Sequence, residues 1–342
     1  MKGLPLFLII FCLLFVPTVH GIEINQVGGF NFGVAYDIVY RDDVAYVSGN
    51  NGVEVFDVSD RENPVKLTRI ENNNGAFGLE LLGELLYIAG TSDGFFIVDV
   101  SAPSDPVVLG SLPMTAIDLS VEGDFAYVSS GASYYIIDVS DPENPEEVST
   151  VPGVGRTDHL LVKGDILYLG ETLVGLKVYD VSDKAQPLFL RTVPGTVGIF
   201  DIEADGSTIY LACHDSGVKI LDITNNTSPR VIGSFNNGGE AYGIHVIGNY
   251  LLVADLQQGV EILDINDREF PTLMTSWTET HPHGVSGDSE YIYLADQDDG
   301  LEIFKYGESV EPPENEVSNQ IPVNTLAVTL GILLMILLWR KK

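Results

Sequence analysis

Cysteine is nearly absent from this sequence. Two cysteines occur among its 342 residues. Cys12 lies in an N-terminal segment typical of a signal peptide, so Cys213 is the single cysteine expected in the mature chain. An intrachain disulfide is therefore excluded, and the fold must be stabilised by packing alone.

Basic residues are also scarce. Lysine and arginine together number 17, against 49 aspartate and glutamate residues, and the formal net charge is −32. A surface this acidic repels nucleic acid and anionic lipid, which excludes nucleic acid as a partner. The charge is compatible with high salt, divalent cations or a basic partner, and it also promotes solubility.

The common catalytic signatures are missing as well. The sequence has no G-x-S-x-G, no H-E-x-x-H, no glycine-rich phosphate loop with a lysine and no paired-cysteine metal spacing. The segment DQDDG (296–300) resembles the opening of a calcium loop, but its glycine comes early and no glutamate follows at the required spacing. No cofactor is therefore predicted, and a divalent cation such as calcium is the alternative.

What the sequence does contain is a repeat of about 40 residues. In each copy a run of alternating apolar residues ends at an aspartate, and a proline follows seven positions later. A seventh, degenerate copy has Lys305 in the aspartate position. Each copy has the pattern of four short strands, so the sequence predicts an all-β, seven-bladed β-propeller over residues 22–306. The repeated aspartates are Asp57, Asp99, Asp138, Asp180, Asp222 and Asp264.

Residues that recur in every copy are expected to serve the fold. We therefore interpret the six repeated aspartates as structural. A glycine usually stands five positions before the aspartate and is expected to close a turn. The proline is expected to open the outermost strand, where no ladder N–H is needed. A recurring tyrosine is expected to pack between blades: Tyr46, Tyr87, Tyr127, Tyr168, Tyr210 and Tyr293.

The two ends of the repeat region predict how the ring closes. Residues 23–28 (EINQVG) resemble an outermost strand that has no blade of its own, whereas the last copy has three strands and then stops. We therefore predict that the N-terminal strand completes the last blade by pairing with residues 301–306. The alternative is that the tail after Pro312 supplies this strand.

The termini predict a membrane-anchored protein. Residues 1–21 are typical of a secretory signal peptide, with a non-cleaved anchor as the alternative. Residues 307–320 form an acidic, proline-containing stalk, 321–339 a transmembrane helix, and 340–342 a basic cytoplasmic tail. The predicted location is the cell membrane, single-pass, with the propeller outside. A hydrophobic stretch before a basic tail is also the layout of a processed sorting signal, so transfer to another anchor is the alternative.

Four runs share one motif, and each follows a strand that begins with aromatic or aliphatic residues: FIVDVS, YIIDVSDP, KILDIT and EILDIN. In this respect the chain resembles the LVIVD repeat, a propeller family of secreted and surface-anchored prokaryotic proteins. The resemblance covers residues 30–306. It implies the fold and says almost nothing about chemistry, because the shared motif is structural.

Residues that differ between copies are the candidates for function. Several of them should lie on one face of the disc, around the mouth of the central channel, because the outer-to-inner connections and the turns between second and third strands share that face. There they could hold a cation or a small polar ligand. The alternative is that aspartate and glycine occur at these positions only because they are favourable turn residues at the start of a strand. The predicted ligand-binding residues are Asp37, Asp118, Asp158, His159, Asp201, His214, Asp215 and His283.

Two classes of function are compatible with these residues. The favoured one is a non-catalytic surface adhesion or binding scaffold that presents loops to an extracellular protein, a glycan or a surface layer. The alternative is an extracytoplasmic metal-dependent hydrolase or lyase. Its metal would be held by Asp158, His159 and Asp201, or by the His214 and His283 side of the ring. The sequence leaves open whether the protein is an enzyme.

Two overlapping N-x-[ST] sequons begin at Asn225 and Asn226. They occupy the turn before the outermost strand of the fifth repeat, on the face of the disc opposite the predicted site. A glycan there would leave the channel mouth free. The alternative is that these residues are ordinary turn formers without a modification.

Overall fold

The structure is a computed structural model, and it describes residues 22–72 and 74–308, without the side chains of residues 153–158 and 308. The residues predicted to form the signal peptide, the stalk from residue 309 onward, the transmembrane helix and the basic tail lie outside the described residues. Within the described ranges, no helix has the length and apolar character that a membrane span needs. The blades belong to a compact unit that ends at Gly307.

Seven four-stranded blades are arranged as the repeats predict. The N-terminal strand is β1 (Ile22–Phe30), and the first blade contains β2 (Ala35–Arg41), β3 (Val44–Gly49), β4 (Gly52–Asp57) and β5 (Val65–Glu71). The second contains β6 (Leu79–Leu82), β7 (Leu85–Gly90), β8 (Gly94–Asp99) and β9 (Val107–Leu112). The third contains β10 (Leu119–Glu122), β11 (Phe125–Ser129), β12 (Gly131–Asp138) and the first part of β13 (Glu146–Lys163).

The fourth blade takes the second part of β13 and continues with β14 (Ile166–Glu171), β15 (Gly175–Asp180) and β16 (Leu188–Val193). The fifth contains β17 (Asp201–Asp205), β18 (Thr208–Ala212), β19 (Val218–Asp222) and β20 (Arg230–Phe235). The sixth contains β21 (Ala241–Ile247), β22 (Tyr250–Asp255), β23 (Gly259–Asp264) and β24 (Thr272–Trp277). The seventh contains β25 (Pro282–Gly287), β26 (Tyr291–Asp296) and β27 (Gly300–Glu308).

The N-terminal strand closes the ring. The last sheet has the order β1-β27-β26-β25, so β1 is the outermost strand of the seventh blade. The side chain of Gln26 on β1 donates a hydrogen bond of 3.0 Å to Glu302 on β27. This confirms the prediction of N-terminal closure over closure by the C-terminal tail, and it ties the first and last parts of the propeller together.

One connection differs from the repeat pattern. The 18-residue strand β13 is the outermost strand of the third blade and also the innermost strand of the fourth. It pairs with β12 up to Thr157 and with β14 from Thr157 onward, and the β14 pairing shifts register between Thr157 and His159. These two blades are therefore one continuous seven-stranded sheet.

The repeated aspartates form turns, which confirms their structural role. Each accepts a hydrogen bond of 2.8 or 2.9 Å from the backbone N–H two residues later, as in Asp57 to Ser59 and Asp264 to Asn266. Side-chain and backbone hydrogen bonds from Ser59 hold the pKa of Asp57 below its usual value. The outermost strand then begins directly after the repeat proline, for example at Val65 after Pro64.

The core lies between neighbouring blades rather than within one. Tyr168 of the fourth blade, for example, packs in one buried cluster with Ile202 and Leu211 of the fifth. The six recurring tyrosines are 0–3% exposed, which confirms that they pack between blades. Burial of these rings holds each sheet against the next and leaves the innermost strands around a central channel.

Candidate functional site

The two faces of the disc are distinguished by their turns. The turn between the second and third strands lies beside the entry to an inner strand, since the His214 N–H donates to the Ala241 carbonyl over 3.0 Å. The turns on the other side also meet each other, since the Val58 N–H donates to the Asp43 carbonyl over 2.8 Å. We call the first side the mouth face and the second the opposite face.

The innermost strands of all seven blades line a cavity of about 900 Å³. Residues near the start of each inner strand form two rings. The upper ring, at the mouth, contains Tyr36, Phe77, Ile117, Phe200, Tyr242 and His283. The lower ring, one residue further along each chain, contains Asp37, Gly78, Asp118, His159, Asp201, Gly243 and Gly284.

The lower-ring carboxylates hold neighbouring blades together. Asp37 accepts a hydrogen bond of 2.8 Å from the Leu79 N–H of the second blade. Asp118 does the same for Leu160 of the fourth blade, at 3.1 Å. An inner strand is the edge of its sheet, so the N–H groups on its unpaired side need acceptors from outside that sheet. These carboxylates therefore have a structural role in addition to any role in binding.

A second tier of acceptors lies deeper in the channel. The Glu80 carboxylate accepts the Val121 N–H over 2.7 Å, and Glu203 accepts the Val246 N–H over 3.0 Å. His245 lies beside Glu203, with 3.5 Å between Nδ1 and Oε1. Burial lowers the pKa of His245, but its hydrogen bond to Glu203 and the charge of that group outweigh burial, so the pKa is raised.

Burial makes three of the channel carboxyls harder to ionise. Burial raises the pKa of Asp37 to about 6, and the charge of Asp118 adds to the shift. Burial likewise raises the pKa of Asp201 to about 7, although the charge of His159 opposes it, and raises that of Glu80 to about 8. His159 Nδ1 lies 3.6 Å from the Asp118 carboxylate. Four members of the lower ring thus form one coupled electrostatic group.

Glycine in the lower ring reflects close approach of the blades. A Cβ on Gly284 would lie 2.9 Å from the Asp37 Cα, and one on Gly78 would lie 2.5 Å from an Asp118 carboxylate oxygen. Both distances are shorter than a Cβ tolerates. Glycine therefore occupies these positions because the inner strands nearly touch at this level.

The upper ring carries an arc of aromatic side chains, which we call the aromatic arc: Phe77, Tyr36, His283, Tyr242 and Phe200. Successive ring centroids lie 4.4, 5.7, 4.4 and 4.7 Å apart along this order. The rings are inclined to one another by 43° to 82° and all are half-buried. Five blades therefore contribute to one concave aromatic wall around the mouth.

The histidine of the arc is neutral at physiological pH. Burial lowers the pKa of His283 to about 4, and the charge of His159 lowers it further. His159 continues the wall, since its ring centroid lies 6.0 Å from that of Phe200.

His214 lies beside the arc rather than in the channel. Its ring centroid is 5.0 Å from that of Phe200, and its backbone has a positive φ of 45°. Its two ring nitrogens lie 3.0 Å from Asp215 and 3.6 Å from Glu240. Among the described residues, this is the set of three whose ligand atoms all lie within 4.8 Å of one another. Imidazole with two carboxylates is a donor set that suits zinc and similar ions.

The acidic turn that resembles a calcium loop has other contacts. One oxygen of Asp296 accepts the N–H groups of Asp298 and Asp299, and the other accepts the His281 N–H over 2.6 Å. The side chains of Asp298 and Asp299 contact His281 and Asn31, at 2.9 and 2.6 Å. The three carboxylates thus have separate partners, and they do not belong to the described metal-ligand set.

The sequons lie on the opposite face, as expected from their position between β19 and β20. Asn225 and Asn226 are exposed. The Asn225 side chain accepts a hydrogen bond of 2.9 Å from Thr227, and the Asn226 carbonyl accepts one of 3.0 Å from the Tyr168 hydroxyl. The asparagines therefore serve the turn whether or not they are modified.

The structure brings part of the predicted site together. Asp37, Asp118, His159 and Asp201 share the lower ring, and His283 lies in the upper ring above them. His214 and the exposed Asp215 lie at the rim and do not line the cavity. The side chain of Asp158 lies outside the described residues.

Four aromatic residues of the site were not predicted from the sequence: Tyr36, Phe77, Phe200 and Tyr242. Each directly precedes the residue that was identified as the start of its inner strand. Comparing that position across the seven copies would have found them, because bulky rings recur there. Glu80, Glu203 and Glu240 were not predicted either, because most copies of the repeat have no acidic residue at the corresponding positions.

Comparison with known proteins agrees with this architecture. No curated protein matches the sequence. Among solved structures, a computationally designed protein, Ika8, superposes with a TM-score of 0.59 at 10% identity, over 79% of this chain and 83% of that one. At that identity the likeness shows the fold alone. The model of the LVIVD repeat matches residues 32–70, 76–113, 115–152, 154–193, 200–237 and 238–279. The chain therefore belongs to the LVIVD-repeat family.

Proposed function

We propose that the protein is a non-catalytic binding protein of the cell surface, with the mouth face as its binding face. The signal-like residues 1–21, the apolar residues 321–339 and the basic end support a propeller held outside the membrane by a single helix. The partner would be an extracellular protein or a glycan. The strongly acidic surface argues against nucleic acid.

The observation that carries this proposal is the aromatic arc above the carboxylate ring. Half-buried aromatic rings around a concavity, with a few polar groups beneath them, are the usual composition of a recognition site. The carboxylates of Asp37 and Asp201 already accept backbone N–H groups, which suits positioning better than proton transfer. Cys213 is buried and its pKa is raised to about 12, so it is unsuited to act as a nucleophile.

One observation favours a second candidate, the metal-dependent hydrolase or lyase. His214, Asp215 and Glu240 could hold a transition metal at the rim, and the cavity beside them could admit a substrate. Metal analysis of the purified chain tests this directly. A stoichiometric transition metal that is lost in the His214→Ala variant would favour the enzyme. Protein that purifies without a metal would favour the non-catalytic binding protein.

Photo-cross-linking on intact cells tests the binding face. A benzoyl-phenylalanine replaces Phe77 on the mouth face or, as a matched control, Phe270, which is 71% exposed in a turn of the opposite face. We expect discrete cross-linked species from position 77 and none from position 270. Cross-links from position 270 alone would contradict the proposal, because the working surface would then be on the other side.

A further inference from the structure

The chemistry of the channel mouth restricts the ligand class. This inference rests on the proposed binding function and identifies the chemical class of the ligand. Three features carry it: the shape of the aromatic arc, the charges beneath it, and the hydrogen bonds that those charges already make.

The rings of the arc are inclined to one another rather than coplanar. Tyr36 meets His283 nearly edge to face, at 82°, and Tyr242 is inclined to Phe200 by 54°. A sugar stacks best on the flat face of one exposed ring, whereas a rounded group is enclosed by several rings set at angles. The π faces of such rings attract a cation. The geometry therefore suits a compact, roughly spherical cation better than a pyranose.

Acidic side chains lie below the arc. Asp37, Asp118 and Asp201 lie one residue below it, and Glu80 and Glu203 lie deeper. Burial raises the pKa of Glu80 to about 8, so its carboxyl is mostly neutral at pH 7, whereas Asp37, with a pKa of about 6, is mostly ionised. Arg41 also belongs to the lining of the cavity, but it lies on the far end of β2 from the mouth, where it contacts the Gly83 carbonyl and Asp42. Two histidines belong to it as well: His159 lies beside Asp118, and His245 lies beside Glu203. The mouth itself thus presents aromatic rings, carboxylates and the imidazole of His159.

Two of the lower-ring carboxylates already use part of their hydrogen-bonding capacity. Both oxygens of Asp37 accept backbone N–H groups, from Ile38 and Leu79 at 2.7 and 2.8 Å, and Asp201 repeats this with Ile202 and Ile244. An ionised carboxylate also attracts a cation by its charge alone, without a directed hydrogen bond. A cation without hydrogen-bond donors interacts with the lower ring in this way.

We propose that the aromatic arc and the lower ring bind an alkylammonium ion, with the cation against Tyr36, Tyr242 and Phe200 and its charge facing Asp118 and its neighbours. A quaternary ammonium group fits best, because it is round, carries no N–H to satisfy, and is weakly hydrated. Choline is the simplest probe of this class.

Calorimetric titration of the full chain in a non-ionic detergent tests the proposal. Choline is compared with 3,3-dimethylbutan-1-ol, which has the same shape without the charge, and with methyl glucoside. We expect saturable binding of choline and at least about tenfold weaker binding of the neutral isostere. Equal binding of the two, or binding of the glucoside in place of choline, would overturn the proposal.

Matched variants locate the site. Phe200→Leu keeps an apolar side chain but removes the π face, and we expect about fivefold weaker choline binding. Phe270→Leu on the opposite face is the control and should have no effect. Asp118→Asn keeps an acceptor for the Leu160 N–H while removing the charge, and we expect roughly tenfold weaker binding. Unchanged affinity in both mouth variants would contradict the assignment.

Phosphocholine separates two sources of the cation. The carboxylates of the lower ring would repel its phosphate. If phosphocholine binds more weakly than choline, the natural ligand is a free ammonium compound; if the two bind equally, it is a lipid headgroup. Both results support the proposed site. Failure of every cation, with cross-links still formed from position 77, would reject the ligand class and leave the proposed binding face in place.

Discussion

The Asp201 carboxylate accepts a hydrogen bond of 2.9 Å from the Ile244 backbone N–H, across the gap between the fifth and sixth blades. Its other oxygen accepts the Ile202 N–H over 2.7 Å. The same arrangement joins Asp37 to Leu79 and Asp118 to Leu160. A side chain that lines the candidate site is thus also a bridge between blades, so loss of binding and loss of stability must be measured separately.

Asp201→Ala should destabilise the propeller. Without the carboxylate, two inner-strand N–H groups lose their acceptors, which costs about 1 to 3 kcal/mol. Thermal or denaturant unfolding of the full chain measures this loss. Asp215→Ala is the matched control, because its side chain is 82% exposed and its loss should change stability little. Equal stability of the Asp201 variant and the control would show that water replaces the bridge.

The fold should be more stable in mild acid than at alkaline pH. Burial raises the pKa of Glu302 and Glu80 to about 8, and that of Asp201 and Glu261 to about 7. A carboxyl whose folded pKa is raised binds its proton more tightly when folded. Its contribution is fully present below the unfolded pKa of about 4 and is lost as pH rises through the folded value. The melting temperature should therefore fall between pH 5 and pH 8.5.

Glu302→Gln checks the origin of this pH dependence. Glutamine retains an acceptor for Gln26 but cannot ionise, so the variant should lose less stability on going to pH 8.5 than the wild type. The repeat aspartates with lowered pKa, such as Asp57, act below about pH 4 and do not affect this window. A melting temperature that rises from pH 5 to pH 8.5 would contradict the assignment.

Removal of residues 22–29 should lower the melting temperature sharply. The deletion removes most of β1, which leaves β27 as an exposed edge and opens the last blade. Removal of residues 309–342 is the control, and we expect it to leave the melting temperature unchanged. The opposite result would mean that the tail, not β1, holds the ring closed.

A chain that ends before Ile321 should be released as a soluble monomer. The reason is that the predicted transmembrane helix and basic tail, 321–342, would be missing. Fractionation of cells and size-exclusion chromatography measure this outcome. A truncated chain that still sediments with membranes would show that the anchor lies elsewhere.

The repeat made the blades predictable, because strand alternation, turn glycines and strand-opening prolines are local features with a fixed spacing. The role of Asp57 as a turn former follows from residues two positions apart. The bridges between blades do not follow in the same way, since Asp37 and Leu79 are 42 residues apart and meet only once the ring has closed. The aromatic arc was missed for that reason too: Tyr36 and His283 become neighbours only across the closure of the ring. The continuity of β13 through both blades was likewise not encoded in the spacing.

The central claim is that the mouth face binds the partner, and cell binding by two sets of full-chain variants tests it most directly. One set changes the mouth face, with Tyr242→Leu and His283→Ala, and also the rim, with His214→Ala and Asp215→Ala. The other replaces Asn225 and Asn226 by Gln on the opposite face. With folding verified by unfolding curves, we predict at least about tenfold weaker binding for the first set and unchanged binding for the second. Loss of binding in the asparagine variants, with the mouth variants unaffected, would contradict the account.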